Sequence, residues 1–293
     1  MTKTKELNTV RFNLTYDEIF KGSFSTSTTA TKLVNVVLNE NIDEKEVTIT
    51  SSELLGESIE VKTSILDVRL KVADKYDIDL EMQKYKPHNY SLIDRLIYYL
   101  GKMISLSVEE GEMYPGKTCI SIVFTNFPLE GYNKCVNEVT FKDDENQEVS
   151  KHKIILIDLT KKDKCDKVEL SKWLRLMTTN NVLSFKGEDE VMDKVIEKVV
   201  DMNSDDFVQA RLMSREKFIR DRQSEEAGRR KKEQEREARE QEFKVKLQEA
   251  EVKAQEAAKQ GKIEVAKNLK SIGLDLLTIS KVTSLTIEEI DKL

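Results

Sequence analysis

Two runs of alternating residues, ILDVRLKV (65–72) and DIDLEMQ (77–83), stand four residues apart. In the first, Leu66, Val68, Leu70 and Val72 share one side, and Ile65, Asp67, Arg69 and Lys71 share the other. In the second, Ile78, Leu80 and Met82 oppose Asp77, Asp79, Glu81 and Gln83. Ala73 to Tyr76 can reverse the chain, so the pattern predicts an antiparallel hairpin. Turning about Asp74 sets Lys71 against Asp77 and Arg69 against Asp79, both favourable cross-strand pairs, with Asp79 expected to bond Arg69. The next pair in register is Asp67 with Glu81. Like charges directly opposite are destabilising, and each raises the other's pKa unless something positive intervenes. A divalent cation would relieve the conflict, since Mg2+ takes one or two carboxylates together with waters and phosphate oxygens. Gln83, on the same face two residues beyond Glu81, could position a water. A one-residue slip in register, or an edge strand of mixed charge, accounts for the same letters without a metal.

Composition bounds the rest. A chain of 293 residues holds one good-sized domain with additions, or two small ones. The net charge of −6 argues against a generally basic coat, so any nucleic-acid contact has to be local or metal-assisted. Cys119, Cys135 and Cys165 lie far apart with no CxxC pair, which suits a reducing compartment and suggests neither a disulfide framework nor a zinc site. Only His88 and His152 are present, which nearly removes zinc-peptidase and Ser-His-Asp chemistry. No apolar run approaches a membrane span and no signal-peptide pattern opens the chain, so a cytoplasmic protein without a membrane partner is expected.

Residues 1–204 read as a globular domain. A helix opens around Leu14–Lys21 with Thr15 as its expected N-cap, and a second covers Thr31–Asn39. Val47–Leu54 has strand character. Ser91–Glu110 carries Leu92, Leu96, Tyr99, Leu100, Met103 and Leu106 at helical spacing. Thr118–Phe124 and Lys153–Leu159 are apolar, β-branched runs suited to buried strands. The order helix, strands, helix, strand, strand predicts an α/β fold with a mixed sheet flanked by helices.

Residues 205–261 change character. Between Arg211 and Lys267 there are 17 basic and 13 acidic side chains and no proline. The local charge of +4 leaves the remainder at −10. A long exposed helix with i,i+4 ion pairs is expected. Phe243, Leu247, Ala250, Ala254 and Ala257 form a weak heptad seam, equally compatible with a coiled coil or a solvated single helix. Residues 262–293 read as a helical mini-domain: one helix stopping near Gly273, a second over Leu276–Val282, and a third started by a capping box at Thr286-Ile287-Glu288-Glu289. Three short helices in this order resemble a helix-turn-helix, but the last two carry few basic residues, which equally suits packing or oligomerisation. Such a segment buries little area, so a homodimer or higher oligomer through these helices is expected, with docking onto the same chain as the alternative.

Several stretches together resemble the Rpn family of recombination-promoting nucleases, the PD-(D/E)XK nuclease family transposases. They are Asp17-Glu18-Ile19-Phe20-Lys21; Lys62 followed by Leu66-Asp67-Val68; Leu80-Glu81-Met82-Gln83; Arg95 with Tyr98 and Tyr99; Gly111-Glu112-Met113-Tyr114; and the tail from Ala266 to Leu293. Their order covers nearly the whole chain. The resemblance implies a restriction-endonuclease-like core followed by the charged helix and the small helical segment. It also implies metal-dependent hydrolysis of DNA phosphodiester bonds, in recombination or transposition or in defence against foreign DNA. Asp67, Glu81 and Gln83 would be the catalytic set. Asp67 and Glu81, with Asp17 as a further candidate, would hold Mg2+, or alternatively Mn2+ or Ca2+. Lys21, Lys62, Arg95 and Tyr98 would contact DNA, Arg95 and Tyr98 by gripping its backbone. Ordinary alternatives are a surface ion pair for Asp17 and Lys21, a solvated strand edge for Lys62, and core-edge packing for Tyr98. Gln83 stands where the wider superfamily has Lys, which leaves the general base open. It also sustains the alternative of a weak or inactive DNA-binding, oligomerising protein on the same fold. A mainly multimerising scaffold built on the long helix is a third reading. Thr283-Ser284-Leu285-Thr286 departs from the family's T-G-L-S by the loss of a glycine.

Overall fold

The computed structural model describes residues 9–50, 53–54, 64–87, 90–108 and 116–293. Lys62, His88 and residues 111–114 therefore lie outside the described residues. The chain divides into two compact units, residues 1–212 and 213–293.

The first unit opens with helices α1 (Asp17–Ser23) and α2 (Ser27–Leu38). Next come strands β1 (Val47–Thr50), β2 (Glu53–Leu54), β3 (Ser64–Ile65), β4 (Val68–Val72) and β5 (Tyr76–Gln83). Helix α3 (Leu92–Leu106) leads to β6 (Thr118–Thr125), β7 (Val136–Lys142) and β8 (Glu148–Asp158), and then to α4 (Val168–Thr178) and α5 (Glu190–Ser204). Six strands form one mixed sheet in the order β1-β4-β5-β6-β8-β7, and β2 pairs with β3 apart from it. The β5–β6 and β6–β8 pairs are parallel, while β1–β4, β4–β5 and β7–β8 are antiparallel. This is the restriction-endonuclease-like arrangement expected: a mixed sheet with helices on its faces.

Parallel central strands must be covered on both sides, because their crossovers put helices there. One face packs around Phe20 of α1, which lies 5.7 Å from Phe124 of β6 and 4.8 Å from Phe24. Phe24 in turn meets Trp173 of α4 at 6.1 Å. The opposite face is covered by α3, whose Leu92, Leu96, Leu100 and Met103 cluster with Cys119, Val123, Ile154 and Leu156. Ser91 caps α3 by accepting from the Asp94 N–H.

The hairpin register is the expected one: Val68 with Leu80, Arg69 with Asp79 and Lys71 with Asp77. Three local expectations need correction. β4 begins at Val68, so Asp67 sits in a bend just before the strand rather than within it. Thr15 does not cap α1; the N-cap position is Tyr16, whose side chain makes no capping bond, and the Thr15 hydroxyl donates to Asn13. Arg69 does not bond Asp79: its Nε and Nη2 donate to Asp77 at 3.0 and 2.6 Å, and Ser121 Oγ donates to Asp79. Strand β7 and helices α4 and α5 were not singled out in the sequence.

The second unit contains the continuation of α6 (Asp206–Ser271), then α7 (Leu276–Thr283) and α8 (Ile287–Asp291). Its core is Ala266, Ile279, Leu285 and Ile290, flanked by Ile263, Leu269 and Leu276. The capping box at Thr286 and Glu289 forms as expected. Lys270 Nζ donates to the carbonyls of Ile290 and Asp291, satisfying the end of α8. Phe243 and Leu247 of the heptad seam are exposed.

Candidate active site

β5 is buried on both faces although half its residues are acidic or polar: Asp77, Asp79 and Glu81 are as buried as Ile78 and Leu80. α3 covers the acidic face, so the three carboxylates face a helix rather than water. Each has a different solution. Asp77 takes the bidentate Arg69 fork. Asp79 accepts from Ser121 Oγ at 3.0 Å, while its Oδ1 is buried and finds no hydrogen-bond partner among the described residues. Glu81 Oε2 accepts from Gln83 Nε2 at 2.8 Å.

Asp67 reaches this group from the bend before β4. Its Oδ2 accepts from the Met82 N–H at 2.8 Å, one step beyond the last β4–β5 pair. The bond pins the Asp67 carboxylate beside the strand that carries Glu81. Burial, and next the charge of Asp67, push the Glu81 carboxyl up to about 8. The Arg95 guanidinium, the Gln83 amide and the Lys21 ammonium act the other way. Asp79 is held well above the usual carboxylate range by burial and then by Glu81.

The structure thus brings Asp67, Glu81, Gln83, Lys21 and Arg95 to one place. Lys21 Nζ donates to the Leu66 carbonyl at 3.2 Å, next to Asp67 in the chain. Arg95 Nη1 donates to the Tyr90 hydroxyl at 2.8 Å, while its Nε and Nη2 are buried and find no partner among the described residues. Arg95 therefore turns inward toward Glu81. Tyr98, at the neighbouring position on α3, is 46% exposed, so it is not core-edge packing. Asp17 opens α1. Among the described residues no three His, Cys, Asp or Glu side chains form a group that could hold a metal, so no described third carboxylate completes such a group with Asp67 and Glu81. Their carboxylates and the Gln83 amide oxygen are hard oxygen donors of the kind that fit a water-rich Mg2+ site. Tyr90 and Asp79, whose Oδ1 alone finds no partner among the described residues, lie outside the expected set. A tyrosine five residues before an arginine carries no motif, and the setting of Asp79 depends on β6.

The family described as PD-(D/E)XK nuclease family transposase matches residues 14–229, and the chain belongs to it. No curated protein and no solved structure matches the chain. Family membership places the protein among nuclease and transposase-like proteins. No helix among the described residues is long and apolar enough to cross a membrane.

Proposed function

We propose that the protein is a metal-dependent DNA endonuclease acting in recombination, transposition or defence against foreign DNA. The observation that carries this reading is the Asp67–Glu81 pair, held by the Met82 N–H and the Gln83 amide within a chain of this family. When bound, a divalent ion supplies charge neutralisation at the phosphate and lowers the pKa of water. Mg2+ suits the donor set best, with Mn2+ and Ca2+ as alternatives.

The chain's own residues do the rest. Asp67 and Glu81 would hold the ion. Gln83 cannot act as a base, so its work is to orient the attacking water or to donate to a phosphate oxygen. Lys21, fixed on the Leu66 carbonyl, and Arg95, through the Nη1 edge that donates to Tyr90, are the proposed phosphate contacts on α1 and α3. The deprotonating group is a substrate phosphate or solvent. Asp17 and Lys62 remain proposed contacts, the first to the ion and the second to phosphate.

The test is incubation of purified protein with supercoiled plasmid, with and without Mg2+, Mn2+ or Ca2+. Metal-dependent nicking or linearisation supports the reading; an intact plasmid under every condition overturns it. Retained DNA binding without cleavage would favour the alternative of an inactive DNA-binding protein, for which Gln83 in place of Lys is the one specific observation.

A further inference from the structure

The rim of the carboxylate site is built from rings as well as cations. α3 sets Arg95, Tyr98, Tyr99 and Lys102 at spacings of three, one and three residues, a single stripe beside its buried face. The Arg95 guanidinium, which offsets the Glu81 charge, lies 5.2 Å from the Tyr90 ring and 5.7 Å from the Tyr99 ring. Tyr98 stands 6.0 Å from Tyr99, and Lys102 Nζ lies 5.1 Å from the Tyr98 ring. Where β5 ends after Gln83, Lys84 lies against the rings of Tyr16 and Tyr85. Tyr90, Tyr98 and Tyr85 are 52%, 46% and 38% exposed, so they do not serve the core.

Phosphate tracking needs cations and hydrogen-bond donors, not exposed rings. In a duplex the base faces are occupied by one another, so a ring finds no face to stack on. Rings interleaved with Lys and Arg match a strand whose bases are unpaired, where rings take bases and cations take phosphates. We infer that the preferred substrate of this site is DNA with unpaired bases beside the scissile phosphate, as in a single strand, a fork or a frayed end. Tyr90 and Tyr98 stack on those bases, and Arg95 and Lys102 meet the flanking phosphates. The inference rests on the endonuclease reading and narrows its substrate.

The test compares affinities by fluorescence anisotropy, using full-length Glu81→Gln protein so that nothing is cut. Three labelled DNAs share one sequence: a single strand, its duplex, and the single strand with four adjacent abasic positions. The expected result is single-strand binding at least tenfold tighter than duplex binding at equal salt, with most of that preference lost on the abasic strand. Added to that background, Tyr98→Leu and Tyr90→Leu should each lower single-strand affinity by roughly 5- to 150-fold, the range for one stacked base, while Tyr98→Phe should retain it. Equal or tighter binding to the duplex, or full affinity for the abasic strand, overturns the inference, as does failure to bind any of the three. The abasic comparison uses native tyrosines, so it decides even if a leucine variant folds poorly. Plasmid cleavage by the wild type is scored separately, so an active enzyme without strand preference refutes only this inference.

Discussion

At the scale of single residues, Asp67 and Glu81 set function against stability. Asp67→Ala or Glu81→Ala should reduce DNA cleavage by roughly a thousandfold or more, since each removes a charged ligand from the phosphate-binding centre. Circular dichroism should show the fold intact, and full activity in either variant would rule out the site as drawn. The same residues give a pH dependence. With the folded Glu81 carboxyl near 8 and an unfolded value near 4.5, the folded state holds the extra proton across that interval. Stability is then complete below about 4.5 and is lost as pH rises toward 8, by at most about 1.4 kcal/mol per unit. Metal-free protein should therefore melt lower at pH 8 than at pH 5, and Glu81→Gln should flatten that trend. A melting temperature that rises over the interval and is insensitive to Glu81→Gln would contradict the assignment. Gln83→Lys should keep or raise activity. Gln83→Ala should slow turnover by roughly 10- to 100-fold with little change in metal affinity, as for a group that orients a ligand. An alanine variant as fast as the parent would remove Gln83 from the chemistry.

At the scale of elements, two contacts are decisive. In the β4–β5 hairpin, Arg69 and Asp77 form a bidentate ion pair with Asp77 fully buried. Asp77→Ala would leave the Arg69 charge without its fork partner and should cost about 3–5 kcal/mol, measurable by urea titration. A loss below about 1 kcal/mol would mean that water or Asp79 replaces the partner. Between α7 and α8, Ser284 adopts the left-handed conformation at φ 61°. A side chain there costs about 1–2 kcal/mol, against about 0.4–1 kcal/mol for the extra freedom glycine has when unfolded. Ser284→Gly should thus stabilise the second unit by about 0.5–1 kcal/mol, and a lower melting temperature for that unit would show that the hydroxyl is needed.

At the scale of the whole molecule, the charged helix and the C-terminal unit bear on assembly. The second unit has a four-residue core of its own, yet Leu277, Val282 and Ile287 stay exposed on α7 and α8, as do Phe243 and Leu247 on α6. We propose that these apolar positions meet a second copy, so that a homodimer presents two active sites to two DNA strands. Sedimentation equilibrium at tens of micromolar, on the order of ordinary assembly affinities, should show a dimer for the full chain and a monomer for a chain ending at residue 239. Monomers in both cases would overturn the dimer.

Local chemistry settled much of this protein. Period-two alternation specified which residues of the hairpin share a face, and a one-residue slip would have turned Leu70 and Leu80 onto the acidic face, so the register was legible. Side chain to backbone capping also reads from short spacings, as at Ser91 and Thr286. The register predicted Asp67 opposite Glu81, but the strand pairing ends at Val68 and Leu80, and Asp67 reaches the strand that carries Glu81 from a bend, through the Met82 N–H. What tertiary structure decided was where the charges went. Strand twist brings diagonal neighbours within reach, so Arg69 chose Asp77 over the directly opposite Asp79. The parallel partner β6 set Ser121 beside Asp79, and no sequence pattern links residues 42 positions apart. The packing of α3 on the acidic face turned Arg95 inward to Glu81 and left Tyr98 outside, although the two stand three residues apart on one helix. Burial, more than the charge of Asp67, raises the Glu81 pKa. Desolvation depends on what covers a residue, and only the folded chain specifies that.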